Sequence, residues 1–442
     1  MMATPFVEAM AEGAAQALPS LPGAQLTWLD AARREQLQAF LSEGLPGPRS
    51  EAFKYTSLRA LERRAFAPID ADAGEHAVDA QALALPGVEG PRLVFVNGAF
   101  RADLSQLDGL PEGVTLEPLS QALAGDAEPL RFFLTRHWQA PGDAFARLNA
   151  ALASDGVVLR VAAGTQVAAP VHVVHMGTTA ASDVAWHGRH IIELGEGARL
   201  SLIEQHAAGE AHSHFATQVT DAVLREGAQL DWLMVQEAAS GATLLRRTGL
   251  RLDARSRVTL HALELGGGLV RHELGADLVG DGAQLETRGV FIPRARQHQE
   301  TRLDIRHQAK STASDALWRG VADQRGRGVF HGAITVDEGA DGTDAALSNK
   351  NLLLSPHAEI DTQPVLEIYA DEVTAAHGAT VGQLDERSLF YLRSRGIGYT
   401  QARSLLTLAF CRAALDSVAN EALREHLNGR LVAQLPIDAD AR

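Results

Sequence analysis

The fold is decided by a short element that first appears as Gly197-Ala-Arg-Leu-Ser-Leu-Ile203, a small residue followed by alternating polar and apolar side chains. The element recurs, with variation, at 227–233, 255–260, 282–286 and 357–361. The aligned small residues of the first four copies are 30, 28 and 27 positions apart and are Ala198, Ala228, Ser256 and Ala283. A repeat of this length made of strands and turns predicts the coils of a β-solenoid, in which each rung buries its inward side chains against the next.

This repeat region extends over residues 156–380, where glycine separates short alternating segments and helical periodicity is absent. A βαβ array would need an amphipathic helix between strands, whereas the connections here are glycine-rich or charged. A β-sandwich stays open as an alternative, because short strands with regular turns describe it as well. We therefore expect a mainly β fold whose core is a β-solenoid.

Residues 1–155 precede the repeat and are predicted to form a mainly helical region. Helices are expected at 6–18, 30–40, 127–138 and 142–153. Asp30 is placed as the N-cap of the second helix and Gly44 as its stop. One strand is expected at Leu93-Val-Phe-Val-Asn-Gly98, because β-branched and aromatic residues lead into an Asn-Gly turn.

Residues 381–442 follow the repeat and are predicted to form a helical hairpin. Asp385 is the expected N-cap of the first helix, and Gly396 stands at its C-terminal stop. The second helix is predicted to begin near Thr400 and to carry one apolar stripe that runs to Leu431. The core of the hairpin is interpreted as including Phe390, Tyr391, Leu405 and Phe410.

The composition argues against several classes of protein. A formal net charge of −15 disfavours a nucleic-acid partner, which needs a concentrated basic surface. Residues 1–20 contain two glutamates and no lysine or arginine, so the basic start of a secretory signal is absent. No apolar run approaches the roughly 18 residues of a membrane-spanning helix. We expect a soluble protein of the cytoplasm.

Known enzyme motifs are absent from the sequence. There is no G-x-x-x-x-G-K-[ST], no H-E-x-x-H, no G-x-S-x-G and no C-x-x-C. Gly266-Gly-Gly268 and Gly396-Ile-Gly398 lack the strand-to-helix context of a phosphate-binding loop and are interpreted as turns. The sequence therefore predicts a protein without catalytic activity of its own.

Cysteine and histidine are the side chains that could bind a metal ion. The single cysteine, Cys411, cannot hold an iron–sulfur cluster, which takes about four thiolates, and it falls on an apolar stripe that predicts a buried residue. Among the 17 histidines, His172 and the pair His212 and His214, expected on one face of a strand, are more readily explained as hydrogen-bonded structural residues than as ligands. His377 differs, because it lies where the β-region ends and a solenoid exposes its last rung.

The C-terminal part of the repeat region carries a long series of specific motifs. They are Asn349-Lys-Asn-Leu-Leu-Leu-Ser-Pro356, Ala358-Glu-Ile-Asp-Thr-Gln-Pro364, Leu366-Glu-Ile-Tyr-Ala-Asp371, His377-Gly-Ala-Thr-Val-Gly382 and Phe390-Tyr-Leu-Arg-Ser-Arg-Gly396. With Glu51-Ala-Phe-Lys-Tyr-Thr56, Phe95-Val-Asn-Gly98 and residues 145–175, these motifs closely resemble the SufB/SufD family of iron–sulfur cluster assembly proteins. The lone cysteine and the N-terminal helical region are more similar to the SufD branch than to the SufB branch.

The resemblance implies a right-handed parallel β-helix that pairs with SufB through its core and belongs to a SufBCD scaffold complex. It also implies that the ATPase SufC, in two copies, docks on the C-terminal helices. Arginine and aromatic residues favour interfaces, and the candidate contacts around the turn of the hairpin are Arg393, Arg395, Tyr399 and Arg403. An unpaired last rung would also permit a homodimer of the chain alone.

The resemblance further implies that His377 faces the SufB interface as a candidate ligand of iron or of a transient iron–sulfur cluster shared with SufB. No cluster is expected to be bound stably by the chain alone. A relative can carry cysteine two positions before this histidine, where this chain has Ala375. Two other functions stay open: a purely structural adaptor, and a β-helical polysaccharide-active enzyme with carboxylates and basic residues on an exposed sheet face. The missing secretory signal counts against the enzyme.

Overall fold

The computed structural model describes residues 4–47, 49–69, 78, 83–140 and 142–435. The α-helices in these ranges are α1 (Pro5–Ala17), α2 (Thr27–Glu43), α3 (Arg59–Glu62), α4 (Leu119–Ala124), α5 (Arg131–Leu134), α6 (Ala144–Leu152), α7 (Glu386–Ser394), α8 (Tyr399–Arg412) and α9 (Glu421–Gln434). Short 3₁₀ turns cover Glu51–Phe53 and Glu128–Leu130. The predicted helical regions also include residues 1–3 and 436–442, which lie outside the described residues.

The strands outnumber the helices. They are β1 (Ala67–Pro68), β2 (Arg92–Val96), β3 (Ala99–Phe100), β4 (Val114–Pro118), β5 (Val157–Val161), β6 (Val171–Gly177), β7 (Val184–Leu194), β8 (Arg199–Ala208), β9 (Phe215–Leu224), β10 (Gln229–Gln236), β11 (Thr243–Leu252), β12 (Arg257–Glu264), β13 (Leu269–Leu278), β14 (Gln284–Phe291), β15 (His298–His307), β16 (Ala313–Ala322), β17 (Arg327–Val336), β18 (Asp344–Leu353), β19 (Glu359–Ile368) and β20 (Thr374–Gly382).

From β5 onward the strands alternate between two sheets. One sheet contains the odd-numbered strands from β5 to β19, and the other contains the even-numbered strands from β6 to β20. From β7 to β18, each strand pairs in parallel with the second strand before and after it, which makes a solenoid of about eight turns. The mainly β fold with a solenoid core is therefore confirmed, and parallel pairing between alternate strands excludes the β-sandwich.

The N-terminal region adds strands to the same two sheets. The short strand β2 pairs in parallel with β6, and β4 pairs antiparallel with β5. The predicted turn after β2 is present, because Asn97 and Gly98 have φ angles of 47° and 82° and lead directly into β3. Positive φ at both positions is what an Asn-Gly hairpin turn requires.

The small residues of the sequence repeat occupy one corner of each turn. All four of those named above are fully buried, and the corners are joined by backbone hydrogen bonds, such as the 2.8 Å bond from the Gln229 N–H to the Ala198 carbonyl. The glycine before the corner has φ of 64° at Gly197 and 68° at Gly227, and Arg255 takes the same conformation at 54°. The period is therefore set by a left-handed corner and by the lack of space for a larger side chain behind it.

The N-terminal helices cover the outer face of the odd-numbered sheet, where Phe6, Phe40, Phe145 and Phe215 share one apolar cluster. Helix α2 begins at Thr27, so the prediction that Asp30 is its N-cap is wrong: Asp30 lies in the first turn and pairs with Arg34. Gly44 ends the helix, as predicted, with φ of 70°.

The helix predicted over 127–138 is also wrong. This segment contains only the turn Glu128–Leu130 and the short helix α5. Beyond α5 the chain is held by contacts with other elements instead of helical hydrogen bonds. Arg136 Nη1 lies 2.9 Å from Asp221 in β9, and the Trp138 carbonyl accepts a 2.7 Å hydrogen bond from Arg147.

The C-terminal helices differ from the predicted hairpin in one respect. Helix α7 is capped by Asp385 as predicted, and Gly396 follows it with φ of 84°. The single second helix is instead two helices, α8 and α9, because the chain turns between them and Asn420 caps α9 by accepting from the Leu423 N–H. Their apolar faces pack on the outer face of the even-numbered sheet, with Cys411, Leu415 and Leu427 against Leu233, Leu263 and Val290.

Three side chains assigned to the hairpin core are on the surface. Phe390, Tyr391 and Leu405 are 74, 53 and 44% exposed, whereas Phe410 is partly buried against the sheet. The reason is that the sheet, rather than α7, covers the apolar face of α8.

No helix in the described ranges combines the length and apolarity that crossing a membrane requires.

Buried neutral histidines predict that the protein loses stability in mild acid. Burial lowers the pKa of His187 to about 3 and that of His307 to about 4. An unfolded histidine binds a proton near pH 6.5, so the unfolded state gains protons that the folded state cannot. The stabilisation is complete above that pH and declines toward the folded pKa by about 1.4 kcal/mol per pH unit for each histidine. Urea unfolding at pH 7.5, 6.5 and 5.5 should show this decline, and His187→Gln should reduce its slope; an unchanged slope would contradict the prediction.

Candidate functional site

The solenoid ends in a rung that no further strand covers. The last strands of the two sheets are β19 and β20, and each pairs on one side only, with β17 and β18 respectively. Ile368, Tyr369 and Val381 are 41, 63 and 43% exposed on these strands and the turn between them. Unpaired backbone groups beside exposed apolar side chains are a template for pairing with another chain.

His377 lies on this last rung. It pairs in register with Leu347 of β18, whose side chain belongs to the interior core. Registered residues of parallel strands share a face, so His377 occupies an inward-facing position of its rung. It is nevertheless exposed, since no rung follows. Ala375 aligns with Ala345 on the same face and offers no ligand atom.

His377 has no set of metal-binding neighbours in the part of the chain that is described. The one group of three or more metal-ligating side chains found there lies in the solenoid interior and does not include it. A metal ion at His377 would therefore require ligands from another molecule.

The four residues predicted to bind a partner fall into two groups. Arg393 and Arg403 both lie over the ring of Tyr399, each with Cζ 5.6 Å from the ring centroid. Arg403 also donates to the Leu354 carbonyl at 2.7 Å, which ties this group to the solenoid. Arg395 is separate, because its Cζ lies 4.1 Å from the ring of Tyr391. Phe390, Tyr391 and Arg395 are exposed together on α7 and its C-cap, and we call these three residues the α7 patch.

The cysteine and the other histidines, which the sequence indicates to be structural residues, are buried or hydrogen-bonded. Cys411 is fully buried, and burial raises the pKa of its thiol to about 12, although the charge of Arg319 acts to lower it. The thiol therefore stays protonated and is not nucleophilic. His172 is buried and hydrogen-bonds Gln205. His212 and His214 precede β9 instead of lying within a strand, and their rings stack with centroids 4.5 Å apart. His214 accepts from the Val184 N–H at 3.1 Å.

The described residues also form a polar cluster inside the solenoid that the sequence patterns do not predict. His175, Glu204 and His206 place their ligand atoms within 4.8 Å of one another, and His190 lies beside them with its Nε2 3.2 Å from the Nε2 of His175. The available signal was the alternation along β8, in which Glu204 and His206 continue the inward positions of Leu200 and Leu202. The alternation predicts which side chains face inward, but it does not predict that polar residues from different strands meet there.

Comparison with known proteins identifies the family of the chain. Residues 16–173 match the SufBD protein N-terminal region, and residues 176–410 match the SufBD core domain of SUF-system FeS cluster assembly. The iron–sulfur cluster assembly protein SufD of Escherichia coli is 30% identical over 406 residues, which cover 91% of this chain and 92% of that protein.

More distant relatives match over similar lengths. An iron–sulfur cluster assembly SufBD family protein of Synechocystis is 29% identical over 87% of this chain and 86% of its own length. The chloroplastic protein ABCI7 of Arabidopsis thaliana is 24% identical over 97% of this chain and 91% of its own length. The chain therefore belongs to the SufBD family of SUF-system iron–sulfur cluster assembly proteins.

Proposed function

We propose that this chain is the SufD-type subunit of a cytoplasmic SufBCD scaffold complex. In this proposal the last rung of the solenoid pairs with a SufB-type subunit, and iron or a nascent cluster is held between them. The observation that carries the proposal is His377: one imidazole at an inward-facing but exposed position of an unpaired rung. Imidazole is a suitable iron ligand, and a partner would supply the remaining thiolate or carboxylate ligands.

The energy for the process would come from a partner, because the sequence contains no Walker loop. We place the contact with a SufC-type ATPase on the C-terminal helices. The α7 patch supports this choice, since two exposed aromatic residues and an arginine form a surface that the rest of the described chain leaves uncovered. The subunit itself would be non-catalytic, with no cluster bound stably in isolation.

A structural adaptor without a metal ligand is the second candidate. It is favoured by the same absence of neighbouring ligands around His377 in the described residues. A partner would complete the site in the first case and merely cover the rung in the second. The polysaccharide-active alternative has no support from the family to which the chain belongs.

Affinity purification of the tagged chain from its native cell, followed by mass spectrometry, tests the proposed partners. We expect SufB-type and SufC-type subunits to elute with it. With the double variant Tyr391→Ala/Arg395→Glu, the amount of the SufC-type ATPase that elutes should fall at least about tenfold. Truncating aromatic and arginine anchors typically costs about 2 kcal/mol or more of binding free energy. Retention of the SufB-type subunit should be unaffected, since the α7 patch is distinct from the last rung.

Phe132→Ala is the matched control, because Phe132 is an exposed aromatic residue, 81% accessible, in the N-terminal region. Point variants are preferable to deletion of residues 385–442, which would strip α8 and α9 from the sheet that they cover. Undiminished capture of the ATPase by the double variant would remove the α7 patch from the interface. Absence of both subunits from the wild-type eluate would overturn the proposed function.

A further inference from the structure

The interior of the solenoid is apolar over most of its width and polar at one edge. Along β8 the inward positions are Leu200, Leu202, Glu204 and His206, so the change occurs halfway along the strand. Glu204 and His206 are 3 and 6% exposed, and they lie next to His175 of β6, which retains part of its accessible surface. Two imidazoles and one carboxylate therefore meet inside the coil.

The spacing of these groups suits a single metal ion. His206 Nε2 lies 2.9 Å from Glu204 Oε1, and the ligand atoms of all three residues lie within 4.8 Å of one another. Metal–nitrogen and metal–oxygen bonds of about 2.0–2.2 Å place the ligand atoms of a tetrahedral ion about 3.3–3.6 Å apart. Side-chain movements of about 1 Å would bring the more separated atoms of this group to that spacing. A cavity of about 20 Å³, lined by His175, His190 and His206, borders the group.

The charges around Glu204 leave a place for a cation. Among the described residues no lysine or arginine pairs with Glu204, which is hydrogen-bonded to His206 and accepts from Gln218, whereas the nearby Arg246 is paired with Glu264. A buried carboxylate is costly unless a positive charge accompanies it.

His190 selects the tautomer of His175 in which Nε2 is free to bind an ion. Its Nδ1 accepts a 2.9 Å hydrogen bond from the Val157 N–H, so the neutral ring carries its proton on Nε2 and directs it at His175 Nε2. His175 therefore keeps its own proton on Nδ1 and has a lone pair on Nε2. Gln218 donates to Glu204 through Nε2, and its Oε1 can accept a hydrogen bond from the His190 Nε2–H when the His175 lone pair binds an ion instead.

We propose that His175, Glu204 and His206 form an internal site for one divalent transition-metal ion, with His190 as a positioning residue. Two imidazoles, one carboxylate and open positions suit Fe²⁺ and Zn²⁺, whereas Mg²⁺ and Ca²⁺ prefer oxygen ligands alone. The site is separate from His377 and does not depend on the proposed function.

Anaerobic titration of the full-length chain with Co²⁺, after treatment with EDTA, tests the site. We expect one tightly bound ion per chain and an X-ray absorption spectrum with two imidazole ligands. Glu204→Gln and His206→Gln should weaken binding at least about tenfold, while His377→Ala should not change it. His307→Gln is the matched control, because His307 is also buried and hydrogen-bonded, to Thr312 and Ser314, but lies outside the cluster.

The role of His190 is tested by comparing the metal affinity with the number of imidazole ligands. His190→Gln should weaken binding but leave two imidazoles around the ion, whereas His206→Gln should leave one. Circular dichroism and size-exclusion chromatography establish which variants are folded. If a variant does not fold, the X-ray absorption spectrum of the wild type with Co²⁺ still tests the site. A ligand shell without imidazole would overturn the proposal. Failure of the wild type to bind Co²⁺, either when native or when refolded with the ion, would also overturn it.

Discussion

We expect His377→Ala to abolish cluster assembly in a complex that still forms. The side chain is exposed on the last rung, so its removal should change the free energy of unfolding by no more than about 0.5 kcal/mol. The ligand, in contrast, is lost outright. Iron and acid-labile sulfide measured on the purified complex should fall at least about tenfold, and growth that depends on this pathway should fail.

Two further variants separate a ligand from a structural residue. His377→Cys should restore part of the cluster content, because a thiolate also binds iron. His357→Ala is the matched control, since His357 is likewise exposed and lies in the turn before β19. Normal cluster content in an intact His377→Ala complex would return His377 to a structural role and favour the adaptor.

The largest loss of stability is expected from Trp318→Ala. Trp318 of β16 is fully buried, donates from Nε1 to Thr287 Oγ1 at 3.2 Å, and packs on Phe330 with ring centroids 5.6 Å apart. It also covers Gly289 of the preceding rung, where an added Cβ would lie 2.2 Å from the indole ring. The variant would leave a cavity that spans neighbouring rungs, at a cost of about 3–5 kcal/mol.

Guanidinium unfolding followed by circular dichroism measures this loss. Phe132→Ala serves as the control, because a residue that is 81% exposed should shift stability by no more than about 0.5 kcal/mol. Loss of structure should begin in the rungs next to Trp318, since each turn of a solenoid contacts only its neighbours. A Trp318→Ala midpoint equal to that of Phe132→Ala would show that this part of the interior is not close-packed.

The solenoid could be predicted because its corners impose a local constraint that recurs along the chain. Ala198 and Ser256 sit where a larger side chain has no room, and the residue before the corner takes a positive φ. The helical regions were harder to predict. The apolar stripe of α8 and α9 continues through the turn that separates them, and periodicity alone does not reveal a break that Asn420 creates by capping.

The candidate site also contains residues that can be predicted from the sequence and residues whose positions depend on tertiary packing. The position of His377 follows from where the repeat ends, so sequence suffices to place it on the last rung. The exposure of Phe390 and Tyr391 depends on which surface covers α8, and this is decided by the sheet. The interior cluster depends on β6 and β8 bringing His175 and Glu204 together, and these residues are 29 positions apart in the sequence.

Anaerobic reconstitution with iron and sulfide tests most directly whether this chain needs partners to build a cluster. We expect the isolated chain to retain no stable sulfide and to hydrolyse no ATP, because its single thiol is buried and it lacks a Walker loop. Iron alone would not count as a cluster, since the interior site can hold an ion without sulfide. The complex assembled with SufB-type and SufC-type subunits should hold cluster and hydrolyse ATP. Near-stoichiometric iron and sulfide on the isolated chain would contradict its assignment as a scaffold subunit completed by a partner.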